Sequence, residues 1–375
     1  MNSTQKTAQK NLDFQVLYVL GMMFVLCGHF QAKELSLNSL FSYDTFHMPL
    51  FFFASGYFYK SKNAENIRCY ARFARKKLIH LILPYLVWNI FYYQFAYILQ
   101  NNTDFKILSQ DEMNIRSFMI TFFSYAAGAK YNVAGWFCVA LFFVQILYNT
   151  LCLFLKPVRN DKIKNTFLLI ITLCISICSA LFADRLPIAI SRTGYLMFFY
   201  NFGYFYHYNL EAIISRINCG YVLLSCCLVN TILIIMFGAI EPIVFNMYGF
   251  SSKTIPVHII KAISGIMFWL TICRMIPKNV KAAKPIEYFS NHTFSIMMHQ
   301  GIVGIFFNGI VIHLFKRYEF LEVYHKIIWM SAFRIKLLLP VLICISILLA
   351  DKLYEIAFLW TRKNIQKNMI KCKSA

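Results

Sequence analysis

Charge is scarce in this chain of 375 residues, and negative charge is scarcest. Only 14% of the residues are charged, with 16 Asp and Glu against 37 Lys and Arg. A soluble globular domain carries about a quarter charged residues, so the composition excludes an ordinary water-soluble fold. Glycine (14) and proline (9) are also sparse, and no linker, internal repeat or low-complexity segment interrupts the chain. The 12 cysteines contain no Cys-x-x-Cys pair. Most of them, such as Cys27, Cys174, Cys226 and Cys344, sit inside apolar runs, where they read as small polarizable packing residues and not as metal ligands or a redox pair. There is no phosphate-binding glycine loop, metal-ligand cluster or serine-elbow motif.

Apolar residues, in contrast, make up 59% of the sequence and the mean hydropathy is +0.56. Runs apolar enough to cross a bilayer recur along the chain, each bounded by a charged or turn-rich stretch. Ten candidate spans fall near 14–30, 46–59, 78–99, 134–155, 166–183, 194–208, 220–239, 255–276, 287–313 and 335–358. The expected fold is an all-α polytopic membrane bundle in one domain covering 1–375, with short tails at about 1–12 and 360–375. Lys6 and Lys10 precede an apolar run from Phe14 to Phe30. That pattern has the form of a signal sequence, but no small-residue cleavage site follows, so it reads as a retained anchor. In the longest connection, 100–133, Ile115–Tyr125 is expected to form a short helix at the outer surface.

The net charge of +21 comes mostly from short connections between spans, the distribution of the positive-inside rule. With the N-terminus inside, cytoplasmic segments hold 23 Lys and Arg against 12 outside, and the one discordant loop is 314–336. Both termini are therefore expected in the cytoplasm. Membrane lipids or a phosphate-bearing cytosolic ligand account for the basic balance better than nucleic acid does.

Ionisable groups inside apolar runs are functional candidates because hydrocarbon penalises them. His29 lies fifteen residues after Phe14, about 22 Å along a helix, and His47 opens the returning span. An imidazole titrating near neutrality suits proton exchange with a hydroxyl and a leaving group, which is what acyl transfer needs. The plainer alternative for each is a hydrogen-bonded helix end. Arg72 and Arg75 share a helical face, and guanidinium forks match phosphate oxygens, although basic clusters of this kind also arise from topology alone. His299 lies about twelve residues into its span with Gln300 beside it, a secondary site candidate, while His292 reads as interfacial. Trp136 opens the fourth span as an interfacial anchor, and Gln145 is a buried amide in need of partners. Asp351, Lys352 and Glu355 mark the exit of the last span.

Taken in order, these residues resemble the integral membrane acyltransferase 3 family, especially its fucose 4-O-acetylase-like branch, over nearly the whole chain. Gly28-His29 resembles the histidine ending the family's first span. Phe46-His47-Met48-Pro49-Leu50-Phe51-Phe52-Phe53-Ala54-Ser55-Gly56-Tyr57 resembles its second-span signature. Arg72-x-x-Arg75 followed by Leu83-Pro84-Tyr85 resembles its arginine pair and Pro-Tyr segment. Trp136-Phe137 with Leu141-Phe142, and Phe294-Ser295-Ile296 to His299, resemble later motifs. Three positions depart from the pattern. Tyr18 stands where an arginine is usual, Gln145 stands where an acid is frequent, and the late histidine is one residue closer to its preceding Asn/Thr segment.

The resemblance implies an acyltransferase that moves an acetyl group from acetyl-CoA to a sugar hydroxyl of a cell-surface polysaccharide or its lipid-linked precursor. It implies a bacterial plasma membrane and no permanently bound cofactor. His29 is the expected catalytic residue, with His299 second; Arg72, Arg75, His47, Ser55, Trp136, Gln145 and Tyr18 are expected to bind donor or acceptor. His29 serves either as general base or as a transient acyl carrier. Another acyl donor such as succinyl-CoA fits the same pattern, a glycan exporter is the competing class, and assembly as a homo-oligomer is compatible with either.

Overall fold

The computed structural model describes residues 3–29, 40–102, 132–158, 160–238, 254–316 and 340–358. These form helices joined by short turns, with no strands among the described residues. In chain order they are α1 (Ser3–His29), α2 (Tyr43–Tyr57), α3 (Ile67–Lys77), α4 (Leu83–Asn102), α5 (Trp136–Phe154), α6 (Asp161–Leu181), α7 (Ile188–Phe205), α8 (Glu211–Ile214), α9 (Cys219–Phe237), α10 (Thr254–Met275), α11 (Lys278–Lys281), α12 (Lys284–Asn291), α13 (Thr293–Lys316) and a last helix, α14, over 340–358. Five are long and apolar enough to cross a bilayer on their own: Leu12–His29 of α1, then α5, α6, α9 and α10. The expected outer-surface helix at 115–125 and most of the 314–336 loop lie outside the described residues.

The short aromatic spans sit at the centre. In α2 nearly every side chain is buried, and its neighbours are α7, α10 and α1. A helix apolar on all sides has no face for water, so it packs in the interior of the bundle. Glycine makes that packing possible. A Cβ on Gly56 would lie 1.7 Å from the Tyr200 carbonyl oxygen, and one on Gly203 would lie 1.9 Å from that of Phe53. The backbones of α2 and α7 therefore touch at two reciprocal points, the role small residues play between helices in lipid.

Side-chain hydrogen bonds join the neighbouring helices. Ser176 donates to the Tyr195 carbonyl (3.0 Å) and Asn201 to Thr172 Oγ1 (3.0 Å), linking α6 to α7. Asn230 donates to Ser264 Oγ (2.7 Å), one of the few buried attachments of α9 to α10. Much of the rest of α9 is exposed and apolar, so it is a peripheral helix whose outer face belongs to lipid.

At the end where α1 begins, a polar cluster closes the bundle. Glu211 accepts from the Tyr57 hydroxyl (2.8 and 3.0 Å) and from Arg274 (3.2 Å), and meets His207 at 3.0 Å. Lys281 pairs with Asp13 of α1 and donates to the Arg274 carbonyl at 3.2 Å.

Two expected spans are interrupted. Leu78–Ile82 forms a π-type turn before α4. Pro84 has no N–H to give and its ring crowds the preceding turn, and a wider turn relieves that conflict. The expected ninth span, 287–313, is two helices: α12 stops at Asn291, His292 forms the turn and bonds the Tyr288 carbonyl (2.7 Å), and α13 starts at Thr293.

Candidate active site

The site is built from a single face of α1. Tyr18, Met22, Val25 and His29 recur at spacings of four, three and four, so they stack along one stripe of that helix. Met48, Phe51 and Ser55 of α2 face them, and Trp136 and Phe137 at the start of α5 close another side. The enclosed space is a cavity of about 270 Å³ with mostly apolar walls. Among the described residues lining it, His29 is the one imidazole. Its other polar groups are hydroxyls, from Tyr18, Ser55, Ser290 and Thr293.

A second cavity of about 660 Å³ adjoins the first, and Tyr18 and Ser55 line both. This vestibule has two zones. Its mouth carries Lys60, Lys62, Arg72, Lys76 and Lys77 with Glu65, whereas its inner wall carries Gln145, Tyr59 and Tyr200. The basic mouth depends on α3. Asn66 caps that helix by accepting from the Cys69 N–H (2.9 Å), Phe73 is its one buried side chain, and cations fill its last turn, where they complement the helix dipole. Burial, helped by neighbouring Lys76, pulls the Lys77 ammonium down to about 8. On the inner wall, Tyr59 donates to Asn149 Oδ1 (2.5 Å) and Asn149 donates to the Asn63 carbonyl (3.3 Å), which ties the vestibule loop to α5.

The arrangement has a definite chemical capacity. A ligand with an anionic head and a slender arm fits cations at the mouth, neutral polar groups further in, and an imidazole at the far end. The amino-acid sequence compared with known families gives the same direction, since the acyltransferase-domain family profile matches residues 11–351. The chain belongs to the acyltransferase 3 family. No curated protein and no solved structure matches it.

This membrane acyltransferase brings some of the expected site residues together and leaves others apart. His29, Tyr18, Ser55 and Trp136 share the inner cavity, and Tyr18, Ser55, Arg72 and Gln145 share the vestibule. Arg75 is exposed on α3 and is not among the residues lining either space. His47 is 2% exposed and its Nδ1 meets the Tyr43 carbonyl at 2.6 Å, so its ring bonds within α2 and does not line the inner cavity. The ends of α1 and α2 do adjoin, since a Cβ on Gly28 would come within 3.2 Å of the Tyr43 ring. His299 lines a third cavity of about 710 Å³, where its Nδ1 bonds the Tyr92 hydroxyl and its ring meets Trp88 edge-on at 4.3 Å. Ser295 donates to Asp351 (3.0 Å) in the same space, and Phe294 borders both this cavity and that of His29.

One residue outside the expected set belongs beside the site. Arg192 of α7 is 4% exposed and its guanidinium lies 4.8 Å over the Trp136 ring, so a buried cation backs an aromatic wall of the inner cavity. Its signal in the sequence is an arginine within Ile188–Phe205, an otherwise uncharged stretch. An expected span starting at 194 leaves it outside.

Proposed function

We propose that this membrane acyltransferase is an O-acetyltransferase that takes its acetyl group from acetyl-CoA and delivers it to a sugar hydroxyl of a cell-surface polysaccharide or its lipid-linked precursor. The observation that carries the proposal is that a vestibule with a basic mouth and the His29 cavity share Tyr18 and Ser55 as walls. The phosphates of the donor would sit among Arg72 and the vestibule lysines, where charge-assisted hydrogen bonds are strongest. Its arm would pass Ser55 and place the thioester in the inner cavity.

In this reading His29 withdraws the proton from the acceptor hydroxyl as that oxygen attacks the thioester carbonyl, and returns it to the departing thiolate. Trp136, held by Arg192, forms a wall for the acceptor. The basic side faces the cytoplasm and the His29 end faces the opposite surface, in keeping with the distribution of lysine and arginine along the chain. A plasma membrane location follows from the acceptor. Acetyl is favoured over succinyl because no lysine or arginine lines the His29 cavity among the described residues, and a succinyl carboxylate would be buried there without a lysine or arginine to pair with it.

The test is transfer of labelled acetyl from acetyl-CoA to glycan in membranes holding the full chain. His29→Ala is expected to lose at least about a hundredfold in rate, the scale of one general base, while the protein remains inserted. His299→Ala is expected to lose less than about tenfold, because its ring lies in the adjoining cavity. Undiminished transfer by His29→Ala would remove the assignment.

A further inference from the structure

The two zones of the vestibule differ in kind. The cations gather at the mouth, while the wall nearest the constriction offers Tyr18, Ser55, Gln145 and Tyr200, all neutral. A polyanionic head is matched outside, and an uncharged but polar segment is matched inside.

Gln145 is the unusual member of that wall. It is 3% exposed, it faces the vestibule from α5, and its buried Oε1 has no hydrogen-bond partner among the described residues. A buried amide left without partners is costly, and the great majority of such groups are satisfied in folded proteins. Tyr59, which lines the same wall, already donates its proton to Asn149 Oδ1. A ligand filling the vestibule borders the Gln145 side chain and is placed to supply that partner.

We infer that the Gln145 carboxamide is the recognition point for a secondary amide in the arm of the acyl donor. A carboxamide presents one acceptor oxygen and N–H donors, and a secondary amide presents one N–H and one oxygen, so the two groups satisfy each other. A hydrocarbon arm leaves the Gln145 Oε1 unpaired, and an anionic arm leaves its own charge without a cation at this depth. Ser55 and Tyr18, at the constriction next inward, offer hydroxyls to a further polar group of the same arm. The inference rests on the donor reading above and sharpens it: the site selects a thioester whose arm contains amides, as the pantetheine of CoA does.

Binding measured on the full chain in lipid nanodiscs separates the two claims. CoA and 3′,5′-adenosine diphosphate share the phosphate-bearing head, and only CoA carries the arm. Gln145→Met, close in length and apolar, is expected to weaken CoA binding about tenfold while the Kd for 3′,5′-adenosine diphosphate stays unchanged. Ser55→Ala is expected to act in the same direction with a smaller loss, and Arg72→Ala to weaken both ligands. Unchanged CoA binding in Gln145→Met, or equal weakening of both ligands in Gln145→Met and Ser55→Ala, would overturn the role of the arm amide alone. Failure of the unaltered protein to bind either ligand would instead overturn the donor reading on which the inference rests.

Discussion

At the scale of single residues, the site works by placing few ionisable groups at chosen depths. His29 ends the stripe of α1 that lines the inner cavity, and the cations that would meet an anionic donor stay at the other end. Lys77 gives this layout a pH dependence. An exposed lysine titrates near 10.4, but burial followed by repulsion from Lys76 brings Lys77 to about 8. Below that pH it is charged and attracts an anion; above it the charge is lost. The Kd for 3′,5′-adenosine diphosphate is therefore expected to rise roughly threefold between pH 7 and pH 9, the worth of one partly exposed ion pair. Lys77→Arg should flatten the profile, since a guanidinium keeps its proton; a flat profile in the unaltered protein would show that Lys77 does not meet the anion. His29 stands out in the sequence because hydrocarbon penalises an ionisable group at the end of an apolar run. The bond from His299 to Tyr92, across 207 positions, leaves no local trace, so its separation from His29 by Phe294 is visible only in the folded chain.

At the scale of elements, the aromatic α2 is a rod that the other helices are built around. Its composition alone tells of burial, and so it was legible in the sequence; its partner was not. That α7 lies against it depends on Gly56 and Gly203 being read as a matched pair, although they stand 147 positions apart and each looks like an isolated helix glycine. Adding a methyl group there meets backbone and not a yielding side chain. Gly203→Ala is expected to destabilise the protein by about 1–3 kcal/mol, the range for overpacking a tight core, measured as a lowered unfolding temperature in detergent. Gly220→Ala, where the nearest atom to the new carbon is the Asn218 side chain at 3.2 Å, should cost less than about 0.5 kcal/mol. Equal losses at the two sites would show that the contact between α2 and α7 is looser than described. Sequence periodicity also runs the ninth span together, because the break at His292 carries neither glycine nor proline.

At the scale of the molecule, three spaces share walls: the basic vestibule and the His29 cavity at Tyr18 and Ser55, and the His29 and His299 cavities at Phe294. Carrying a polar group through a hydrocarbon layer requires walls that are apolar outside and polar at chosen points inside, and a helical bundle supplies both without exposing backbone to lipid. The polar cluster around Glu211 then fixes α2, α8 and α10 at the basic end, so the vestibule opens from a braced rim. This layout fits a protein that hands an acyl group from one end to the other. An exporter of glycan would instead need a passage wide enough for the glycan itself, and the inner cavity is only about 270 Å³. The measurement that separates these most directly is NMR of the surface polysaccharide from cells lacking the protein and from cells complemented with it. The account predicts that the polysaccharide persists, that one O-acetyl resonance disappears, and that the unaltered protein restores it while His29→Ala does not. Loss of the polysaccharide itself, or restoration of the resonance by His29→Ala, would contradict it.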